Sequence, residues 1–319
     1  MLDILSITSP IYLIILLGFA MTRGGIFAKS EMRVLGKYVF NLALPALLFR
    51  AVALTPIGEM LNVSYLLAYL SGTLLVIVVG YSWCRRVSGL DPTASTIHAM
   101  GMACTNSAYV GYPILLLTLA PVAGVALALN MVVENLFIIP LLLFMAGSDS
   151  GVSGRWQTVR TALIRLLRMP LIIGMLAGLL VALLAVKLPA PITRTVDLLS
   201  SASSALALFF VGGTLVGLSP HGLGAKVLPV AIGKLLFHPL AILLMVSVLP
   251  VFGLPEIEPS LRVAVVLMAA MPMIGIYPTL AQMYGQEDFS AVALLVTTIL
   301  SFFTLSAVLL LLRHLSGGW

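Results

Sequence analysis

Two short stretches decide the fold: Gly-Tyr-Pro-Ile-Leu at residues 111–115 and Gly-Ile-Tyr-Pro-Thr-Leu at residues 275–280. Each lies inside a long apolar run that is otherwise typical of a helix. Proline has no N–H to donate and disfavours helical geometry in the residue before it, and glycine tolerates almost any backbone conformation. We therefore predict that both runs are helices interrupted at these points, with Tyr112 displaced from helical geometry.

The rest of the chain is mostly apolar. Of its 319 residues, 61% are hydrophobic and 9% are charged, and the mean hydropathy is +1.16. A soluble protein carries about 25% charged residues, whereas a helix that crosses a bilayer needs about 20 apolar residues in a row. The apolar runs therefore predict an all-α membrane protein with ten transmembrane helices. The predicted spans are residues 4–22, 34–54, 63–84, 95–118, 121–145, 169–186, 196–217, 226–250, 260–281 and 288–313.

The longest connection follows the fifth span and separates two halves, residues 1–147 and 169–319, of five spans each. Each break falls in the fourth span of its half. Because five is odd, the second half must insert upside down, so we predict a 5+5 inverted repeat, an architecture that recurs in secondary transporters. The connection, residues 148–168, contains a basic amphipathic stretch at 155–168 that is typical of a helix in the cytoplasmic interface, with a solvated linker as the alternative.

The basic residues indicate orientation. The net charge is +6, and the Lys and Arg residues are spread over several loops rather than gathered in one patch. Most of them fall on one side of the predicted spans, which is typical of the cytoplasmic side. We therefore expect both termini on the outer, periplasmic side, a lipid bilayer as the surroundings, and no nucleic-acid partner.

Polar residues cluster just before the first break, at Thr105, Asn106 and Ser107. In an inverted pair the two breaks meet near the membrane midplane, and each creates a half-helix N-terminus whose free N–H groups favour an anion such as a carboxylate. Ordinary proline kinks, and polar side chains that join helices, are the alternatives. The candidate substrate-binding residues are Thr105, Asn106, Ser107, Gly111, Tyr112, Pro113, Gly275, Ile276, Tyr277 and Pro278.

Ionisable side chains inside the spans form a second candidate group. Glu134 lies in the fifth span with Asn130 one turn earlier, and Lys234 lies in the eighth with His238 one turn later. Such residues are rare in membranes and mark substrate or ion pathways. We predict that these four support the site or couple it to an ion such as a proton or sodium, a role that a Glu134–Lys234 pair would suit. A structural bond for Glu134 and snorkelling of Lys234 are the alternatives.

Motifs of known enzymes are missing from the sequence. It has no His-rich metal set, no phosphate-binding loop and no nucleophile elbow, and its two cysteines have no metal-ligand spacing. We therefore predict no catalysis, no metal and no cofactor. The favoured function is a secondary carrier for a small mono- or dicarboxylate. A sodium- or proton-coupled symporter or antiporter of a related fold, and a non-transporting membrane sensor, are the alternatives.

Several motifs, in this order along the chain, resemble the auxin efflux carrier family in its short bacterial form. They are Asn-Leu-Ala-Leu-Pro-Ala-Leu-Leu-Phe at 41–49, Ala-Leu-Ala-Leu-Phe-Phe-Val-Gly-Gly at 205–213, Gly-Lys-Leu-Leu at 233–236 and the two Tyr-Pro breaks. The resemblance implies a fold similar to sodium/proton antiporters and bile-acid symporters, with helices four and nine crossing at the substrate site. It also implies elevator-type transport of malonate or malate across a bacterial inner membrane.

The same resemblance implies a division of the spans. Spans one, two, six and seven would form a scaffold that often dimerises, with Asn41 and Pro45 facing it, and spans three to five and eight to ten would form the moving transport domain. Two features depart from the plant members of the family. Only the first half carries an asparagine at the crossing, and residues 63–84 lack the acidic and basic pair of their third span. Ion dependence therefore does not follow from the resemblance.

Overall fold

The computed structural model describes residues 2–54, 62–147, 160, 164, 167–217 and 224–315. Within these ranges every regular element is a helix, and the one β-bridge joins single residues. The predicted all-α class is therefore confirmed. Most of the predicted amphipathic stretch at 155–168 lies outside the described residues, as do Met1 and residues 316–319.

The described part of the chain forms twelve helices. They are α1 (Leu2–Arg23), α2 (Lys29–Ala53), α3 (Val63–Arg86), α4 (Pro92–Ala103), α5 (Ser107–Thr118), α6 (Ala120–Ala146), α7 (Pro170–Leu183), α8 (Ala190–Thr214), α9 (Lys226–Phe252), α10 (Pro259–Ala270), α11 (Tyr277–Gln282) and α12 (Glu287–Leu315). By length and composition, α2, α3, α6, α8, α9 and α12 can each cross a membrane. These helices support a multi-pass membrane protein. The apolar runs predicted as spans four and nine each contain two helices, α4 with α5 and α10 with α11.

The interruptions begin earlier than the prolines that predicted them. The first leaves helical geometry at Cys104 (φ −81°, ψ 136°), and α5 then starts with a π-helical turn at Ser107–Gly111. Tyr112 keeps helical angles (φ −61°, ψ −47°), so the prediction that it leaves the helix is wrong. Pro113 lies in the first α-helical turn, where its missing N–H costs little. The proline thus marks where the α-helix resumes, and not the break itself.

The helices that lead into the two breaks are built alike. α4 and α10 each contain 12 residues, and each is preceded by an acidic residue and starts with proline. Oδ1 of Asp91 accepts a hydrogen bond from the N–H of Ala94 at 2.9 Å, and Oε2 of Glu258 accepts one from the N–H of Leu261 at 3.0 Å. These caps satisfy N–H groups that the first helical turn leaves free.

One group of helices packs backbone to backbone. α1 lies along α8, and α2 lies along α7. A Cβ atom on Gly174 would lie 2.5 Å from the carbonyl oxygen of Pro45, and one on Gly178 would lie 2.6 Å from that of Phe49, so only glycine fits at these contacts. Pro45 therefore faces α7. Asn41 is exposed, and its amide donates to a carbonyl of its own helix at 2.7 Å.

A second group of helices surrounds the breaks. α3 contacts α4 and α9, and α10 contacts α6, α9 and α12. The interior of this group is apolar, but α3, α6 and α9 each bring buried polar side chains into it. Their convergence on the breaks forms the candidate site.

Candidate functional site at the paired helix breaks

The two breaks, residues 104–106 and 271–276, lie side by side and hydrogen-bond to each other. The N–H of Asn106 donates to the carbonyl of Pro272 at 2.9 Å, and the N–H of Ile274 donates to the carbonyl of Cys104 at 3.2 Å. The pairing is antiparallel. Unwound backbone at membrane depth is costly unless its polar groups are satisfied, and here each break satisfies part of the other.

Asn106 presents an amide without a protein partner at the paired breaks. The residue is 3% exposed, and its side chain makes no hydrogen bond to the part of the chain that the structure describes. Its Nδ2 lies 3.7 Å from the position that a Cβ would take on Gly275, and Gly275 itself is exposed. The polar side-chain atoms of Asn106 are not among the fully buried unpaired atoms of the described residues, so a ligand or solvent can reach them. The amide is therefore placed to bind a group that the protein does not supply.

Thr105 belongs to a buried polar network. Its N–H donates to Oε1 of Glu134 at 2.9 Å, and its hydroxyl accepts from Nζ of Lys234 at 2.8 Å. The same hydroxyl lies 2.9 Å from that of Tyr69, which donates to Oε1 of Glu134 at 2.8 Å. All four residues are fully buried. The network links a carboxyl group on α6 to an amine on α9 through a residue of the first break.

Lys234 is held by three partners and none of them is a carboxylate. Besides Thr105, its Nζ lies 2.7 Å from Nδ1 of His238 and 3.2 Å from the carbonyl oxygen of Ala269. Three partners match the three N–H bonds of an ammonium group. The side chain is also fully buried, which rules out the snorkelling alternative.

Glu134 and Lys234 are connected through Tyr69 and Thr105, without direct contact. Within the described ranges the one ion pair joins Arg50 to Asp197, with Nε 2.6 Å from Oδ1, and both side chains are about half exposed. Oε2 of Glu134 has no hydrogen-bond partner among the described residues. In the same part of the chain, no group of three or more His, Cys, Asp or Glu side chains could hold a metal ion.

Comparison with known proteins places the chain in a family. A family model described as "Membrane transport protein" matches residues 4–309. The chain belongs to that family. It is the auxin efflux carrier family that the sequence motifs resemble, so that prediction is confirmed.

Two relatives of this membrane transport protein are bacterial. It is 28% identical over 316 residues to the Rhizobium meliloti (strain 1021) protein named "Putative malonate transporter", and the alignment covers 98% of this chain and 97% of the relative. It is also 28% identical over 247 residues to "Uncharacterized transporter YfdV" of Escherichia coli (strain K12), which covers 74% of this chain and 76% of the relative.

In this membrane transport protein, Ser107 and Asn130 form a smaller group beside the network. Nδ2 of Asn130 donates to the hydroxyl of Ser107 at 3.3 Å, and the hydroxyl of Tyr65 donates to Oδ1 of Asn130 at 2.8 Å. Asn130 therefore supports the first turn of α5 from α6. The hydroxyl of Ser107 already has a protein partner, unlike the amide of Asn106.

The other predicted site residues lie around the paired breaks in different roles. Gly111 is buried, and a Cβ there would lie 2.8 Å from Sδ of Met268, so it is a packing glycine. Tyr277 is fully buried, and its hydroxyl donates to the carbonyl of Ile97 at 2.9 Å, which ties α11 to α4. The remaining residues, Tyr112, Pro113, Ile276 and Pro278, lie at or just before the start of an α-helical segment.

Sequence reasoning missed three polar residues of α3 that complete the site. Tyr65 and Tyr69 contact the groups of α6, and the hydroxyl of Thr73 lies 3.1 Å from Nε2 of His238. The three are spaced four residues apart, which places them on one face of a helix. That spacing in an otherwise apolar span is the signal that could have identified them.

Proposed function

We propose that this protein is a secondary transporter that carries a small organic anion, a mono- or dicarboxylate such as malonate or malate. The observation that carries the proposal is the amide of Asn106, which is buried, has no partner among the described residues and lies beside exposed Gly275. A primary amide offers two N–H donors, and a hydrogen bond to a charged group is worth about 1.5–3 kcal/mol. The amide thus suits a carboxylate oxygen.

The start of α5 adds to the attraction for an anion. Asn106 precedes Ser107–Thr118, and the first N–H groups of a helix have no partner within it. They carry partial positive charge and favour a carboxylate. α11 has 6 residues, so its dipole contributes less. The printed name of the Rhizobium meliloti relative supports malonate as a first substrate to test.

The proposed transporter has ten spans in a 5+5 inverted repeat, with α4–α5 and α10–α11 as the crossing broken helices. Two observations support this arrangement: α4 and α10 have matched lengths and acidic caps, and two backbone hydrogen bonds join the breaks. In this proposal α1, α2, α7 and α8 form the scaffold, and the other helices form a transport domain that moves as an elevator. The packing of α1 on α8 and of α2 on α7 supports that division.

Further parts of the proposal concern location, assembly and coupling. The transporter lies in a bacterial inner membrane with both termini on the periplasmic side, and it dimerises through the scaffold. Glu134, Asn130, Lys234 and His238 support the substrate site or couple it to an ion, which their burial beside the first break favours. Neither a metal nor a cofactor takes part in this proposal.

Thermal unfolding of the purified protein in detergent tests the anion site. We expect malonate, malate or an aromatic carboxylate to raise the unfolding temperature, because a ligand at 100 times its Kd stabilises the native state by about 2.7 kcal/mol. Malonamide, which has a similar shape and no charge, is the matched control, and each ligand is measured with and without sodium. If no carboxylate shifts unfolding more than malonamide does, the proposed anion site is wrong.

Counterflow in vesicles separates a transporter from a sensor. Unlabelled malonate trapped inside should drive uptake of labelled malonate from outside. Binding in the thermal assay without any counterflow would instead support a sensor that keeps the fold but does not transport.

A further inference from the structure

The network of Glu134, Tyr69, Thr105 and Lys234 contains a continuous series of hydrogen bonds with a carboxyl group at one end and an amine at the other. We propose that this series is a proton-binding relay, and that the transporter takes up one proton with each anion. The inference rests on the proposed function, because the anion beside Asn106 supplies the charge that the proton balances. The coupling ion is a proton, and the four residues of the relay hold it.

In the ionised form the hydrogen bonds of the relay run in one direction. The ammonium group of Lys234 donates to Thr105 at 2.8 Å. The hydroxyl of Thr105 then donates to Tyr69 at 2.9 Å, and the hydroxyl of Tyr69 donates to Oε1 of Glu134 at 2.8 Å. Each hydroxyl accepts one hydrogen bond and donates one, which is what a relay needs.

The same atoms also accommodate a neutral form. If each proton moves one step toward Glu134, an N–H bond of Lys234 breaks, an O–H bond of Glu134 forms, and each hydroxyl loses one proton and gains another. The amine of Lys234 keeps two N–H bonds for His238 and Ala269, and its lone pair accepts from Thr105. Only protons move, so the shift requires no repacking of the core.

The neutral form can then take a proton from solvent. The hydroxyls of Thr105 and Tyr69 turn back to their original directions, which frees the lone pair of Lys234. A hydronium ion then gives up its proton and leaves as water, a new N–H bond forms at Lys234, and the network holds an ammonium and a carboxylic acid with a net charge of +1. A half-turn of the carboxyl group places the protonated oxygen at the Oε2 position, so that Oε1 again accepts from Tyr69. Oε2 has no partner among the described residues, and an unpaired hydroxyl is less costly than an unpaired charged oxygen.

Binding of an anion favours this loaded form. Asn106 directly follows Thr105 in the first break, so an anion held by its amide binds one residue along the chain from the relay. A buried charge without compensation is costly, and a positive network beside it offsets the cost. By thermodynamic linkage, proton and substrate then each raise the affinity for the other.

The surroundings of the relay suit a proton better than a metal cation. Within the described residues, the titratable groups that face one another here come from α3, α6, α9 and the first break. They are Tyr65, Tyr69, Cys104, Glu134, Lys234 and His238. Glu134 is the only carboxyl group among them. Hard cations such as Ca²⁺ and Mg²⁺ take about six or more oxygen ligands, and in the ionised form the ammonium of Lys234 would repel a metal cation.

The pH dependence of malonate affinity tests whether a proton is taken up. Between about pH 6.5 and 8.5, uptake of one proton per anion predicts that affinity falls about tenfold for each unit that the pH rises. Glu134→Gln is permanently uncharged at this position, so its affinity should stay near the wild-type low-pH value at every pH. Glu258→Gln removes an exposed carboxyl group and is the matched control, which should keep the wild-type slope. The proposal is overturned if the malonate affinity of the wild type does not change with pH. It is also overturned if the affinity of Glu134→Gln changes with pH as steeply as that of the wild type.

Proton uptake after rapid mixing with malonate, followed with a pH indicator, tests the relay itself. Thr105→Val and Tyr69→Phe each remove one hydroxyl link and should slow uptake about tenfold or more. Thr105→Ser restores the hydroxyl and should restore the rate. Tyr12→Phe is the control, because it removes a tyrosine hydroxyl that lies 3.0 Å from Ser301 outside the network. Unchanged uptake rates in both link variants overturn the relay.

The two proposals fail in different ways. If no carboxylate binds, or if Asn106→Ala binds malonate as tightly as wild type, the anion site itself is wrong. If wild type binds malonate with an affinity that depends on sodium and not on pH, the anion site stands and the proton relay is overturned.

Discussion

The two breaks share a backbone plan but differ in chemistry. α4 and α10 have the same length and the same acidic cap before a proline, and each leads into an extended stretch that hydrogen-bonds to the other. The first break continues with Thr-Asn-Ser at 105–107, whereas the second carries Met-Pro-Met at 271–273. One break therefore presents polar side chains, and the other presents carbonyl groups and an apolar surface.

The geometry of the candidate site therefore depends on both breaks, whereas the polar side chains that would bind an anion come from the first break alone. The second break satisfies the backbone of Asn106 through Pro272 and leaves the amide side chain free to bind. Apolar side chains such as Met268 and Met271 surround the first turn of α5. A low local dielectric strengthens the interaction between an amide and an anion, so the apolar half contributes to affinity without touching the charge.

Removal of the amide at the first break is the change with the largest expected effect. Asn106→Ala should weaken malonate binding about a hundredfold, because a hydrogen bond to a charged group is worth up to about 3 kcal/mol. Asn135→Ala is the control, since that amide donates to a carbonyl of its own helix at 2.9 Å. Thermal-shift titrations measure both. An equal loss of affinity in the two variants would mean that the amide of Asn106 has no specific role in binding malonate.

The glycines of the two breaks should respond differently to the same substitution. Gly111→Ala would place a Cβ 2.8 Å from Sδ of Met268 and should lower the free energy of unfolding by about 1–3 kcal/mol. Gly275→Ala would place a Cβ 3.7 Å from Nδ2 of Asn106, which is an ordinary contact. It should leave stability unchanged but weaken malonate binding about tenfold, because a methyl group fills space beside the amide. Unfolding and binding measured on both variants would show whether the two effects separate; equal destabilisation would contradict the distinction.

The tyrosines that precede the two prolines should also differ. Tyr277→Phe removes the hydrogen bond to Ile97 and should lower the free energy of unfolding by about 1 kcal/mol. The hydroxyl of Tyr112 makes no hydrogen bond to the described residues, so Tyr112→Phe should change stability little. Thermal unfolding of the two variants under one condition measures the contrast. A larger loss of stability in Tyr112→Phe than in Tyr277→Phe would contradict this difference between the two tyrosines.

The acidic caps should give the smallest and most similar effects. Asp91→Ala and Glu258→Ala should each cost about 0.5 kcal/mol, since both residues are exposed. Partial burial raises the pKa of Glu258, but hydrogen bonds from the backbone of Ser260 and Leu261 outweigh it and leave the pKa lowered. A lowered pKa in the folded state means that this cap stabilises above the unfolded-state pKa and is lost as the pH falls through the folded-state value.

Thermal unfolding of wild type and Glu258→Gln, from neutral to acidic pH, measures that cap contribution. The difference between the two should shrink as the pH falls. A difference that grows toward acidic pH would contradict the sign.

The sequence identified the candidate residues whose signal is local. Thr105, Asn106, Glu134 and Lys234 stand out because polar residues are rare in apolar spans, and the structure brings all four to the first break. The position of the break was harder to predict. A proline is tolerated in the first turn of a helix, so Pro113 identifies the segment without showing that the chain is unwound at Cys104–Asn106.

By itself, the sequence determined that the chain is helical, apolar enough for a membrane, and interrupted twice, because composition and proline act on the chain locally. Only the tertiary structure decided which polar groups meet. Lys234 could have bonded Glu134 directly, but Tyr69 of α3 and Thr105 of the first break lie between them. Helix rotation and register depend on packing between distant segments, and a span that is apolar on nearly every face carries little periodic signal to predict them.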